Sequence, residues 1–308
     1  MDKRISCKKK SSQSAGKKLH GRYWYFVDNL KERKTGKGEV SLIFALPINH
    51  SGQIIKNMKI YPKPVDIIED LPNGNKIIIW KKTDFDKEKP AVFYYDFDVY
   101  YKEVNTNVNP QKTVPSGPKD IEHRRYTISE GWLDITKEIR SKAKKIIGSE
   151  TNQYNKAKKI FNWIIENISY EYPDIKSRGA SKTLKKLKGD CGEFSALFVS
   201  LCRSVGIPAR PVTCLWFEKS GHQWAEIYIK PYGWIPVDTS IANSFRVDPE
   251  KSKSLIDLAG IKNTEPAWFF GNLYPKRLIV LIGENIKVKS KIAGISQTFY
   301  ILQPGGIG

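Results

Sequence analysis

Cysteine is scarce in this sequence. Its 308 residues hold only Cys7, Cys191, Cys202 and Cys214, with no C-x-x-C pair and no histidine at zinc-finger spacing from them. That excludes a disulfide-stapled scaffold and a thiolate zinc module. Long hydrophobic runs are missing too. No stretch approaches the ~18 apolar residues of a membrane-spanning helix. Met1 to Lys18 is polar and basic with no apolar segment behind it, so no secretory signal is expected. Together these absences fit a reducing, cytoplasmic setting. Negative charge is in deficit, since 32 Asp and Glu face 52 Lys and Arg, a formal +20. The surplus is dispersed, which predicts a lysine-rich solvated surface; its functional counterpart is an acidic partner. No nucleic-acid motif accompanies it. Apolar material is ample, at 40% hydrophobic and 12% aromatic, so the chain is folded and long enough for two domains.

Four segments follow from the text. Residues 1–19, rich in Lys, Ser and Gln, predict a disordered tail. Residues 20–104 read as strands: Tyr23–Leu30, Glu39–Leu46, Gln53–Tyr61, Lys76–Trp80 and Val92–Val104 are β-branched and aromatic between Pro, Gly and Asn breaks. Pro72-Asn73-Gly74-Asn75, between Ile67-Ile68 and Ile77-Ile78-Ile79, signals a hairpin, because Asn-Gly tolerates positive φ. So many short strands predict a β-sandwich. Residues 105–120, with Pro110, Pro115 and Pro118, read as a linker. Residues 121–308 change period. Trp132, Ile135, Ile139, Ala143 and Ile146 recur at helical spacing, as do Ala157, Ile160, Phe161, Ile164 and Ile168. A loop at Arg178-Gly179 leads to a third helix after Cys191. Strands then follow near Pro211–Phe217, Gln223–Ile229, Trp234–Val237, Arg277–Ile282 and Thr298–Leu302. Helices first and strands second predict an α+β domain.

Within it, Gly189-Asp190-Cys191-Gly192-Glu193 has the form of a helix start. Asp190 suits the N-cap and Glu193 completes a capping box. Cys191 is then the first helical residue, where the positive end of the helix dipole favours thiolate over thiol. Phe194, Leu197, Phe198, Leu201 and Val205 mark the buried face, with Cys191 at its edge. Taken alone, such a cysteine is most often a small core residue, and Cys202 is read that way. Gly206-Ile207-Pro208 ends the helix.

His222 opens a strand that turns at Pro231-Tyr232-Gly233 and returns to Asp238. If Tyr228 pairs with Trp234, His222 and Asp238 become diagonal neighbours on one face; a one-residue slip separates them. The chemistry would suit a thiol activated by an imidazole whose far nitrogen is steadied by a carboxylate. The Cys191 N–H would donate to the oxyanion, and a second donor has no candidate in the text. Taken alone, His222 reads equally well as structural. His20, His50 and His123 fall in tail, turn or linker text and read as incidental; Arg210 reads as structural.

Three blocks together resemble the transglutaminase-like superfamily: Gly189-Asp190-Cys191-Gly192-Glu193-Phe194 with Gly206-Ile207-Pro208-Ala209-Arg210, then His222-Gln223-Trp224-Ala225-Glu226, then Trp234-Ile235-Pro236-Val237-Asp238. The approach through Ile160-Phe161-Asn162-Trp163-Ile164 to Tyr170-Glu171-Tyr172 is also similar. The resemblance spans about Ile121–Pro304. It implies a papain-like fold, a Cys191–His222–Asp238 triad and acyl transfer at an amide of a protein or peptide through a thioester. The preceding β segment resembles the accessory β domain of microbial relatives. No cofactor or metal is implied, and no acidic calcium loop is present. The competing expectation is a catalytically silent scaffold that kept the fold and uses its basic surface to hold a partner.

Overall fold

A computed structural model describes residues 16–27, 40–70, 73–82, 91–172, 178–217 and 221–300. The expected tail up to residue 15, Pro72 of the hairpin signal and the expected strand ends at 28–30, 39 and 301–302 lie outside these. Strands β1 (Lys17–Val27), β2 (Val40–Leu46), β3 (Gln53–Tyr61), β4 (Asp66–Asp70), β5 (Asn75–Lys82) and β6 (Ala91–Tyr101) form two sheets, ordered β1-β6-β3 and β2-β5-β4. Lys17 pairs with Tyr101, so residues 17–19, which composition places in the tail, are strand. The β4–β5 hairpin sets Ile67 against Ile78 and Ile68 against Ile77. It turns through Gly74 at φ 72°, the positive region that asparagine-glycine text anticipates. The sheets meet across aromatic rings, with Tyr25 stacked 3.5 Å from Phe44 and Trp80 5.1 Å from Phe93.

A two-residue β7 (Val104–Asn105) leads into the helical half, which holds α1 (Ile121–Tyr126), α2 (Lys137–Ile147), α3 (Gln153–Asn167), β8 (Ser169–Tyr170), α4 (Ala180–Lys186), β9 (Lys188–Gly189) and α5 (Cys191–Ser204). Helix α2 starts five residues later than the apolar spacing predicts. Thr136 caps it by accepting from Ile139 N at 3.3 Å, and Trp132 and Ile135 pack on the core from the preceding turn. Next come β10 (Ala209–Leu215), β11 (Gly221–Ile229), β12 (Gly233–Val237), α6 (Thr239–Val247), α7 (Lys253–Ala259), β13 (Asn272–Leu273), β14 (Leu278–Ile282), β15 (Asn285–Ser290) and β16 (Ile295–Tyr300). The antiparallel sheet β12-β11-β10-β14 lies against α5, whose residues from Cys191 to Arg203 are all buried. Helices α1, α4, α6 and α7 were not anticipated. At six to nine residues they offer too few turns for a period to show.

The two halves share a seam along β14. Gln53 donates through Nε2 to Ile279 O at 3.0 Å and accepts from Ile279 N at 2.8 Å; Asn75 does the same for Ile282, both at 2.8 Å. Each amide thus treats β14 as a neighbouring strand would. Ile286 and Val288 of β15 join the core of the first two sheets, and Ser290 Oγ bonds Asp66 at 2.6 Å. No helix among the described residues is long and apolar enough to cross a membrane.

Candidate active site

The site is assembled from three element ends. At the mouth of α5, Asp190 is the N-cap, accepting from Gly192 N at 2.9 Å, while Glu193 reaches back to Asp190 N at 3.4 Å. This is the expected capping box. Cys191 is the first helical residue and only 5% exposed. Its N–H belongs to the first turn, whose donors have no partner within the helix.

The β11–β12 hairpin supplies the other two groups. Tyr228 pairs with Trp234 and Ala225 with Val237, the register the sequence argument required. Asp238 follows directly on β12 as the N-cap of α6, its Oδ1 accepting from Ile241 N at 3.1 Å and from Ser240 Oγ at 3.2 Å. Its Oδ2 accepts from His222 Nε2 at 2.8 Å and from the Tyr274 hydroxyl at 2.9 Å. The carboxylate is therefore fixed on both oxygens. His222 is left with Nδ1 to offer, and the Cys191 sulfur lies within interaction range of the ring. Burial alone would drive the imidazole down. The Asp238 charge and hydrogen bond, with a smaller part from Cys191, instead hold it up at about 10. Trp216, just past β10, stacks on His222 with centroids 5.2 Å apart.

Cys191 and His222 open into a cleft of about 670 Å³, with Tyr170, Tyr172, Trp216 and Ile241 among its walls. Burial, then the Cys191 sulfur, pushes the Tyr170 phenol well above its usual range, so its hydroxyl stays a donor on the cleft wall. Among the described residues no three His, Cys, Asp or Glu side chains stand together as a metal-binding group.

The remaining sequence expectations divide. Cys202 is buried core, as read, and Cys191, Cys202 and Cys214 are all free thiols. Arg210 is structural, bonding Glu226 at 2.8 Å and lying 3.8 Å from the Trp234 ring centre. His50 is not incidental: its Nε2 stands 3.2 Å from Glu226, in a buried site. Burial would raise that carboxyl, but His50 and Arg210 hold it at about 2. Sequence reasoning missed Tyr274, which arrives from 36 positions beyond Asp238, and Trp216 and Arg178, which are nearer in sequence but carry no local signal of a role at the site. Arg178 was read as loop; its guanidinium bonds Asp190 and Glu193.

A thiol at a helix mouth, an imidazole within interaction range of it and a carboxylate bonded to that imidazole thus stand together. The sequence profile of the transglutaminase-like superfamily matches residues 140–239, a span that contains Cys191, His222 and Asp238. The chain carries a transglutaminase-like superfamily domain. It is 24% identical over 275 residues to an uncharacterized protein of Haemophilus influenzae, covering 78% of this chain and 73% of the relative. In structure it is similar to a Cytophaga hutchinsonii protein provisionally called a cysteine protease. The TM-score is 0.57 at 20% identity, covering 92% of this chain and 85% of the other. That likeness is one of fold.

Proposed function

We propose that this chain is a thiol enzyme that attacks peptide or side-chain amides, with Cys191 as nucleophile, His222 as base and acid, and Asp238 as the group that orients the histidine. The observation that carries the reading is the 2.8 Å bond from His222 Nε2 to Asp238, which leaves the other ring nitrogen, Nδ1, to the sulfur at the α5 mouth. His222 carries the proton that the thiol gives up, as an imidazolium stabilised by Asp238, in keeping with its being held up at about 10. The thiolate adds to the carbonyl carbon, and the oxyanion meets the Cys191 N–H, with the Tyr170 hydroxyl as second donor. His222 then returns the proton to the leaving amine, the C–N bond breaks and a thioester remains. A second nucleophile closes the cycle. Water gives hydrolysis; a lysine amine gives a crosslink. Hydrolysis is the better fit, because the cleft wall includes groups open to solvent such as Tyr172, which is 76% exposed.

The test has two stages. Iodoacetamide labelling followed by peptide mapping should modify Cys191 ahead of Cys202 and Cys214, and His222→Ala should slow that labelling at neutral pH by at least roughly tenfold. Mass spectrometry of a peptide library, incubated with and without a primary amine, then separates cleavage, deamidation and amine adducts. A Cys191 no more reactive than the two core thiols would overturn the reading in favour of a silent scaffold that holds a partner.

A further inference from the structure

Two acids bracket the nucleophile. Asp190 and Glu193 lie one position before and two positions after Cys191, and both are fully buried. A capping box built from two carboxylates suits a helix dipole but opposes a thiolate beside it, because like charges in a dry site repel strongly. Something has to offset them.

The offset arrives from outside α5. Arg178, just before α4, directs Nη1 to both Glu193 oxygens at 3.0 and 3.1 Å, and to Asp190 Oδ1 at 3.4 Å; Nη2 reaches Asp190 Oδ2 at 3.1 Å. The planar guanidinium matches the two carboxylates in a way a point-like ammonium cannot. The packing is built around this contact. A Cβ on Gly189 would come within 2.3 Å of Glu193 Cβ, so only glycine lets the Glu193 stem fold back under the loop. We infer that Arg178 is a positioning residue that keeps the nucleophile's end of α5 electrically neutral, so that the only uncompensated anion formed there is the Cys191 thiolate. The inference rests on the proposed role of Cys191.

The groups facing Cys191 leave few other ways to supply that balance. His222 and, behind it, Asp238 and Tyr274 come from β11, β12 and the approach to β14; Cys214 and Trp216 come from β10 and its exit; Tyr170 and Tyr172 come from β8 and its exit. Glu166, Arg246, Asp248 and Lys251 line the outer cleft with equal numbers of each sign. His222 is the cation that faces the sulfur, and it is committed to Asp238; the buried Arg277 stands one group further back, against Cys214 and Tyr274. The cluster itself carries a proton near neutrality. Burial and then Asp190 raise Glu193 to about 8 despite Arg178. Below that pH, arginine against a single carboxylate sums to zero; above it, one negative charge appears next to the sulfur.

The readout is the pH midpoint of Cys191 alkylation by iodoacetamide, with a thermal melt of each variant alongside. Arg178→Gln is expected to raise the midpoint by about one pH unit. Arg178→Gln combined with Asp190→Asn removes one charge of each sign and keeps a competent N-cap, so its midpoint should return to the wild-type value. Arg178→Lys should stay close to wild type in midpoint while losing some thermal stability. A folded Arg178→Gln with an unmoved midpoint, or a double variant displaced as far as the single, overturns the inference. So does failure of both Arg178→Gln and the double variant to fold, which would assign Arg178 to the fold alone. An unreactive Cys191 in the wild-type protein would instead sink the enzymatic reading.

Discussion

At the scale of single residues, Asp238 carries the most. One carboxylate caps α6, receives Tyr274 and holds His222, so helix start, buried phenol and imidazole share one anchor. The consequence is a pH dependence of stability. His222 sits at about 10 in the folded chain against an ordinary 6.5. The folded state therefore binds more protons than the unfolded one between those values. The stabilisation is complete below pH 6.5 and is lost as pH rises through 10. Urea denaturation at several pH values should show this decline. Asp238→Asn keeps a good N-cap for α6 but removes the charge, and should flatten the curve over that window. A decline of equal slope in the variant would assign the effect to another group. The residue scale was partly legible. Cys191, His222 and Asp238 were singled out in the text and are brought together in space. Tyr274 was not, because a residue 36 positions beyond Asp238 gains its meaning only when β14 folds back beside β10. Trp216, six residues before His222, was not, because only the pairing of β10 with β11 brings its ring onto the imidazole.

At the scale of elements, α5 shows how a helix serves a site. It is apolar on nearly every side, because sheet, α2, α3, α4 and α6 all pack on it. Such burial fixes the depth and rotation of its first residue. Phe198, fully buried two turns in, is one of the side chains that set that rotation. Phe198→Ala should cost about 3–5 kcal/mol by denaturant midpoint, the usual price of a large aromatic cavity. It should also slow Cys191 labelling relative to wild type under conditions where both are folded. The start and stop of α5 were readable, since Asp190, Glu193 and Gly206 are local signals; Gly206 indeed adopts φ 78°. The β11–β12 register was readable as a condition rather than a fact. Alternating faces stated which pairing was needed, and only the pairing of Tyr228 with Trp234 met it. The short helices and the late start of α2 were not readable, because capping by Thr136 outweighed an apolar spacing that continues through the turn before it.

At the scale of the whole molecule, the β sheets and the site-bearing half are joined through backbone-like bonds made by side chains. Gln53 bonds both polar groups of Ile279, whose carbonyl also accepts from Ile48 N, and Asn75 those of Ile282, along the edge of β14 that faces away from β10. Arg277 adds bonds to Ser51 and Lys102 carbonyls. Gln53→Ala takes the partner from the buried Ile279 N–H and one of two donors from its C=O, which keeps Ile48 N, and should destabilise the chain by roughly 1–3 kcal/mol. Calorimetry should then show the two halves melting less cooperatively; a wild-type midpoint would mean the seam is held elsewhere. Strands β15 and β16 extend the same theme, since Ile286, Val288 and Ile295 pack with the N-terminal core although they follow the site-bearing sheet in sequence.

The amino-acid sequence by itself determined the period changes that separate β text from helical text, the caps of α5, the hairpin at Asn73-Gly74 and the three residue types at the site. These are local properties, fixed by backbone preferences and side-chain spacing over a few residues. Only the tertiary structure decided which distant groups complete the site: Tyr274 on Asp238, Trp216 on His222, Arg178 on the acids beside Cys191, and His50 on Glu226. Their positions follow from how layers pack, and packing is a property of summed burial over the whole chain, which no short window of sequence encodes.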